Sequence, residues 1–245
     1  MRRALENSGR MVEAEFRDAD VEGVFLPLLR RLTALRREKG RRVAALLAAP
    51  PGAGKSTLAA LLAALSRETP GLLALDALGM DGFHYPQAHL SSHTVVRNGE
   101  AIPLASVKGA PETFDVEALA RALCRVAAGE EVLWPRYDRA LHEPVPGDAP
   151  TGEIALVEGN YLLLDAPGWR ELRRCADYTI FIDADPALLR RRLVARHVEG
   201  GKSPEAAAAF VDRSDMANAR LCLERSLPAD LRLRLDGDGH FVAEV

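Results

Sequence analysis

The 245-residue chain is poor in lysine: only Lys39, Lys55, Lys108 and Lys202 among its 32 basic residues, the rest being arginine. It has three cysteines, Cys124, Cys175 and Cys222, far apart and with no CxxC pair. That pattern favours buried apolar thiols in a reducing compartment over a disulfide or zinc framework. No apolar run approaches the roughly 18 residues needed to cross a bilayer. The N-terminus, Met1-Arg2-Arg3 with Glu6 close behind, lacks the apolar centre of a secretory signal. Nor is there an excess of positive charge: the formal net charge is -3, which argues against a nucleic-acid partner. Internal repeats, low-complexity blocks and linkers rich in Gly, Ser or Pro are missing too. What is present, 48% hydrophobic and 27% charged residues, is the balance of a globular protein. The expectation is a cytoplasmic protein with neither membrane nor nucleic acid as partner.

Residues 1–17 are polar and aperiodic and are expected to form a flexible arm, leaving 18–245 as a single domain. Val21, Val24, Phe25, Leu28, Leu29 and Leu32 recur at helical spacing, with Pro27 marking a kink or the start of a second segment. Val43 to Ala48 predicts a buried strand, and Lys55 to about Glu68 an amphipathic helix. Leu72 to Met80 is strand-like, and Ser91 to Lys108 is irregular. Val116 to Ala127 is helical behind an Asp115 cap. Glu131 to Trp134, Ile154 to Val157, Tyr178 to Ile182 and Leu231 to Leu235 predict further strands. Asp185-Pro186 and Ser203-Pro204 are helix start signals, the second helix reaching about Arg225. Strands alternating with helices imply an α/β fold with a largely parallel sheet covered on both faces.

The strongest motif is Ala49-Pro50-Pro51-Gly52-Ala53-Gly54-Lys55-Ser56-Thr57, set between an apolar strand and an amphipathic helix, as a P-loop requires. Glycines let successive N–H groups converge on phosphate oxygens, and the helix N-terminus adds partial positive charge. Gly52, Ala53, Gly54, Lys55, Ser56 and Thr57 therefore form the candidate nucleotide cradle. Lys55 pairs with the β- and γ-phosphates and the Ser56 hydroxyl ligates Mg²⁺. Ala49 stands where the motif's first glycine usually does, which is tolerable if its φ is negative. Glu158, directly after the apolar run Ile154–Val157, is the second candidate on the magnesium side. Met80-Asp81-Gly82-Phe83-His84 follows the next strand-like segment, so Asp81 is placed to engage an attacking hydroxyl.

PPGAGKST, MDGFHYP, KGAPETFD, PRYDRALHEP, VEGNYLL and FIDADPALLRRRLVARH, in this order, resemble the phosphoribulokinase, uridine kinase and bacterial pantothenate kinase family of P-loop kinases. The likeness runs from about Arg42 to Leu235. MDGFHYP with KGAPETFD resembles pantothenate kinase and a branch of nucleoside/nucleotide or fructose-transport-associated kinases. Tyr137-Asp138 with His142 resembles the uridine kinase pattern, although Pro144 stands where an arginine is usual. The resemblance implies a three-layer α/β/α P-loop NTPase sandwich with a mostly parallel sheet and a helical lid over about 186–202. It also implies ATP as substrate with Mg²⁺, a small-molecule hydroxyl acceptor (nucleoside, pantothenate-like or sugar) and Asp81 as catalytic base. Lys108, Asp115, Tyr137, Arg139, His142 and Asn218 match acceptor-side positions. Arg196 matches a lid arginine that reaches the transferring phosphate, beside Lys55 and Asp81 in the catalytic set. A homodimer is compatible with the family, and the chain itself does not decide it.

Leu189, Leu193 and His197 form one stripe of the lid helix, with Arg192 and Arg196 on the adjacent one, so apolar side chains dock the helix while guanidinium groups face phosphate. His89 and His93 are four apart but lack the glutamate of HExxH, and no zinc site is expected there. No strongly basic pocket for a phosphorylated acceptor is visible. The rival class, a regulatory or metallochaperone-type P-loop NTPase that switches a protein partner on hydrolysis, would carry NKxD or clustered Cys and His near the P-loop, and neither is found.

Overall fold

The computed structural model describes residues 1–7, 10–97 and 99–244. The chain begins with a hairpin of β1 (Arg2–Asn7) and β2 (Arg10–Glu15). A short α1 (Asp18–Asp20) and a π turn (Val21–Phe25) lead into α2 (Leu26–Lys39). Pro27 lies in the first turn of α2, directly after the π turn, and the helical run continues through it. There follow β3 (Val43–Ala48), α3 (Lys55–Glu68), β4 (Leu75–Gly79) and α4 (Gln87–Ser92). A second hairpin, β5 (Thr94–Arg97) and β6 (Glu100–Pro103), precedes α5 (Val116–Ala127). A third, β7 (Arg136–Asp138) and β8 (Glu143–Val145), precedes β9 (Ile154–Gly159) and β10 (Tyr178–Ala184). The chain ends with α6 (Pro186–Glu199), α7 (Pro204–Phe210), α8 (Met216–Arg225), β11 (Leu231–Leu235) and β12 (Phe241–Glu244).

Six strands pair in the order β12-β11-β10-β3-β9-β4, parallel from β11 to β4 with β12 antiparallel at the edge. β3 is buried along its length because both its faces are covered. Val43, Ala45 and Leu47 share a core with Leu32 of α2 and Leu58 and Leu62 of α3. Ala44, Leu46 and Ala48 share the other with Leu119 and Leu123 of α5. The result is the expected three-layer α/β/α sandwich. Its register sets the candidate site: Ala48 of β3 is level with Gly159, and Gly79 of β4 with Glu158. The P-loop, the Asp81 turn and Glu158 thus leave the same end of the sheet, the end where open α/β sheets bind ligands.

Several expectations are corrected. β1 and β2 pair as antiparallel strands where an aperiodic arm is expected, with Leu5 buried and Arg3 holding Glu68 of α3 through two hydrogen bonds. The irregular stretch 91–108 contains the end of α4 and the β5–β6 hairpin. Residues 131–134 make no strand: Trp134 donates its N–H to Asp148 O and its Nε1–H to Gly79 O, so the segment runs as a loop along the β4 edge. The long helix from Ser203 is interrupted by a π turn at Val211–Asp215. Cys124 and Cys175, expected as separate thiols, form a disulfide. Their separation of 51 residues hides the pairing, and the packing of α5 on the 3-10 turn Arg170–Cys175 brings their Cα atoms to 4.9 Å. Cys222 is the remaining thiol, free and buried. No helix among the described residues is long and apolar enough to cross a membrane.

Candidate active site

Between β3 and α3 the chain turns through Gly52 (φ 86°) and Gly54 (φ 82°), both in the left-handed region that a side chain strains. α3 starts at Lys55 with no side-chain cap, leaving its first N–H groups facing the loop, the arrangement that receives a phosphate. His142 is the one described non-glycine residue with positive φ. Ala49 therefore sits in ordinary backbone, and an alanine there carries no conformational penalty.

Glu158, next to the last residue of β9, lies between β3 and β4 and is 9% exposed. Burial pushes its carboxyl above the usual range, opposed by the Lys55 ammonium, a hydrogen bond from the Ser56 hydroxyl and the Arg139 guanidinium, while Asp81 adds to the rise. Lys55, Ser56, Asp81 and Arg139 thus all lie close enough to Glu158 to act on its charge. Asp81 lies in the 3-10 turn Met80–Phe83 that follows β4 directly. Ser56, Asp81, Arg139 and Glu158 line one cavity of about 980 Å³, which runs from the P-loop past Asp81 along α3. Ser56 with Glu158 is an all-oxygen donor set, which fits Mg²⁺.

Beyond Asp81 the acceptor-side residues divide. Tyr137 and Arg139, on and just after β7, line the cavity. Lys108 does not: its Nζ donates to Gln87 Oε1 and to His142 O, both at 3.0 Å, and lies 5.3 Å from the Tyr137 ring centroid. It ties the turn of the β7–β8 hairpin to α4, at the residue whose backbone is left-handed (His142, φ 57°). Asp115 caps α5, accepting the Ala118 N–H at 2.8 Å, and is not among the residues lining the cavity. Asn218 is on α8 with its Nδ2 beside Gly109. His84 stacks on Phe114 at 3.8 Å and meets Tyr137 edge-on, and burial lowers its pKa against the nearby Asp81 charge.

The lid helix α6 is capped by Asp185, whose Oδ1 accepts the N–H groups of Ala187 and Leu188. Leu193 packs over Gly52 of the P-loop. One residue before it, Arg192 is half-buried with Nη1 3.9 Å from the place a Cβ on Gly54 would occupy. Arg196, the lid arginine the resemblance points to, is one turn further on and exposed. Arg192 shares its stripe, but nothing in the sequence ranks one above the other. Asn160 is a residue that sequence reasoning gave no role. It follows Glu158-Gly159, and its Oδ1 is buried with no hydrogen-bond partner among the described residues.

No family model matches the chain. It is 39% identical to the uncharacterized protein YggC of Escherichia coli over 98% of both chains. A candidate uridine kinase of Schizosaccharomyces pombe is 32% identical, over 79% of this chain and 83% of that one. The chain belongs to the uridine kinase and pantothenate kinase family of P-loop kinases. A solved structure of a candidate fructose transport system kinase from a Silicibacter species agrees, with 37% identity, a TM-score of 0.68 and coverage of 82% of this kinase and 98% of that chain.

Proposed function

We propose that this kinase transfers the γ-phosphate of ATP, with Mg²⁺, to a hydroxyl group of a small metabolite. The observation that carries the reading is that Asp81 opens into the same cavity as Ser56 and Glu158, leaving room for an alcohol beside the phosphate cradle. The P-loop N–H groups and Lys55 hold the β- and γ-phosphates, and Ser56 with Glu158 would hold Mg²⁺. When bound, that ion supplies charge neutralisation at the phosphoryl oxygens. Asp81 accepts or steers the hydroxyl proton. Arg192 and Arg196 bring donors from the lid, and closure of α6 excludes water that would hydrolyse the nucleotide. Tyr137 and Arg139 contact the acceptor. Lys108 acts through its hold on the hairpin turn, Asp115 through the placement of α5, and His142 and Asn218 border the acceptor end. The relatives' names span nucleoside, pantothenate and sugar chemistry, all of which offer a hydroxyl. In the decisive experiment Asp81→Asn binds ATP as the parent does, while acceptor-dependent ADP release falls by about 10³-fold. Undiminished turnover in that variant would remove Asp81 from the reaction.

A further inference from the structure

The disulfide joins Cys124, near the end of α5, to Cys175, at the end of the 3-10 turn Arg170–Cys175, across 51 residues of chain. Cys175 comes just before β10, so the bridge lies at the end of the sheet away from the P-loop. The two bridged segments begin at the other end, against one aromatic group. α5 follows Phe114 and its Asp115 cap, and the 3-10 turn follows Trp169. Phe114, Tyr161 and Trp169 meet edge to face, with ring centroids 5.4 to 5.9 Å apart. His84, in the segment that opens with Asp81, stacks on Phe114 at 3.8 Å. Leu119 and Leu123 of α5 and Leu172 of the turn share the core around these rings. Where the segments start, Val116 Cγ1 is 2.8 Å from the place a Cβ on Gly168 would take. From Val116 to Cys124 the helix carries this packing over roughly 12 Å, at 1.5 Å per residue. The bridge and the wall behind the Asp81 turn are therefore two ends of one packed pair of segments.

The three cysteines differ in access. Cys124 is exposed and Cys175 half-buried, and exposed disulfides are the labile, regulatory class. Cys222 is fully buried and donates to Asn160 O at 3.2 Å, and burial pushes its thiol up to about 12.

We propose that Cys124 and Cys175 form a reversible redox site that governs how firmly this kinase holds its acceptor. The effect on transfer rests on the kinase reading and adds regulation to it. The reductant is a dithiol. One of its thiolates attacks the exposed Cys124 Sγ, the Cys124–Cys175 bond breaks, and Cys175 leaves as a thiolate that takes a proton. The second thiolate of the reductant then displaces Cys124 from the mixed disulfide, and Cys124 is protonated in turn. Two electrons and two protons pass to the pair, and the dithiol becomes a disulfide. With the bridge closed, α5 and the 3-10 turn are fixed at both ends, and Phe114 and Trp169 back His84 firmly. With it open, packing alone aligns them.

The test compares the oxidised protein, the same protein after dithiothreitol, and the variants Cys124→Ser and Cys175→Ser. Thiol titration of the folded protein should find two more thiols after reduction, with Cys222 reacting only on unfolding. Uridine, pantothenate and fructose serve as acceptors. Reduction should raise KM for the compound used by about fivefold or more with the Kd for ATP unchanged. Both variants should match the reduced parent and no longer respond to dithiothreitol. Backbone hydrogen exchange at 113–116 and 169–175 should be faster in the reduced form. A bridge that dithiothreitol leaves closed in the folded protein, or an acceptor KM that is the same in both redox forms, overturns the proposal. If none of the three compounds accepts phosphate, it is the kinase reading that has failed, and hydrogen exchange decides the redox site by itself. Faster exchange in both segments on reduction then supports the site, and unchanged exchange overturns it.

Discussion

Gly82 sits where it does because of contact: a Cβ there would overlap the Pro135 carbonyl and crowd the Arg136 nitrogen. The close approach locks the Asp81 turn to the segment that becomes β7. A Gly82→Ala variant must push these two backbones apart. We expect it to cost about 3 kcal/mol in urea unfolding and to lower transfer by about 10²-fold through displacement of Asp81. Gly237→Ala is the control. Nothing lies within 4 Å of the added methyl, so stability should stay within about 0.5 kcal/mol of the parent. If the two alanine variants unfold at the same urea concentration, the steric account of Gly82 is wrong. Lys55, Ser56, Asp81 and Glu158 stand out as candidates in the sequence because Lys55 and Ser56 open a helix behind a glycine-rich loop, while Asp81 and Glu158 come at the ends of strand-like runs. Arg136 has no such local marker, and only tertiary packing brings its backbone against the Asp81 turn.

At the scale of elements, α6 is held from two sides. Leu189 and Leu193 belong to the core beneath the P-loop, while Arg190 bonds Asp212 through two nitrogens and His197 Nε2 lies 2.7 Å from Asp215 Oδ2. The helix therefore rests on the P-loop along one stripe and on the α7–α8 segment along another. This posture separates its two candidate arginines. Arg192 is already beside Gly54, and burial together with Arg191 lowers its pKa, whereas Arg196 is a turn away in solvent. Arg192→Ala should weaken ATP binding itself by about tenfold. Arg196→Ala should leave the Kd for ATP unaltered and reduce kcat by about 10²-fold, since its guanidinium gains a partner only as the lid closes. Identical kinetic signatures for the two variants would contradict this division. The start of α6 was legible, because Asp185-Pro186 is a capping signal with a local cause. The three hairpins were not. β7 and β8 have three residues each, and β1–β2 buries little beyond Leu5, so no period of two emerges from the apolar residues.

Across the whole molecule, chemistry and anchorage occupy opposite ends of the sheet. Asp177 lies just before β10, at the end away from the P-loop, with its side chain 4% exposed. Its carboxylate accepts two hydrogen bonds from Arg41, pairs with Lys39 at 2.9 Å and accepts the Ala44 N–H at 3.0 Å. One side chain thus joins the end of α2, the start of β3 and the start of β10. Burial alone would raise its pKa, but Arg41, Lys39 and the Ala44 N–H outweigh that and hold it below the usual carboxylate range. An acid depressed in the fold contributes stability above its unfolded pKa, near 3.9, and that contribution is lost as pH falls through the lower folded value. Asp177→Asn should therefore cost about 2 kcal/mol at neutral pH, less than a fully buried pair because both cations are partly solvated. Because the site lies at the opposite end, turnover at saturating ATP should be unchanged at that pH. Urea unfolding of parent and variant at neutral pH and again near pH 3 checks the sign: the gap should narrow once the parent's carboxylate begins to protonate. A gap that stays constant between the two pH values would mean that Asp177 stabilises the sheet by shape rather than charge.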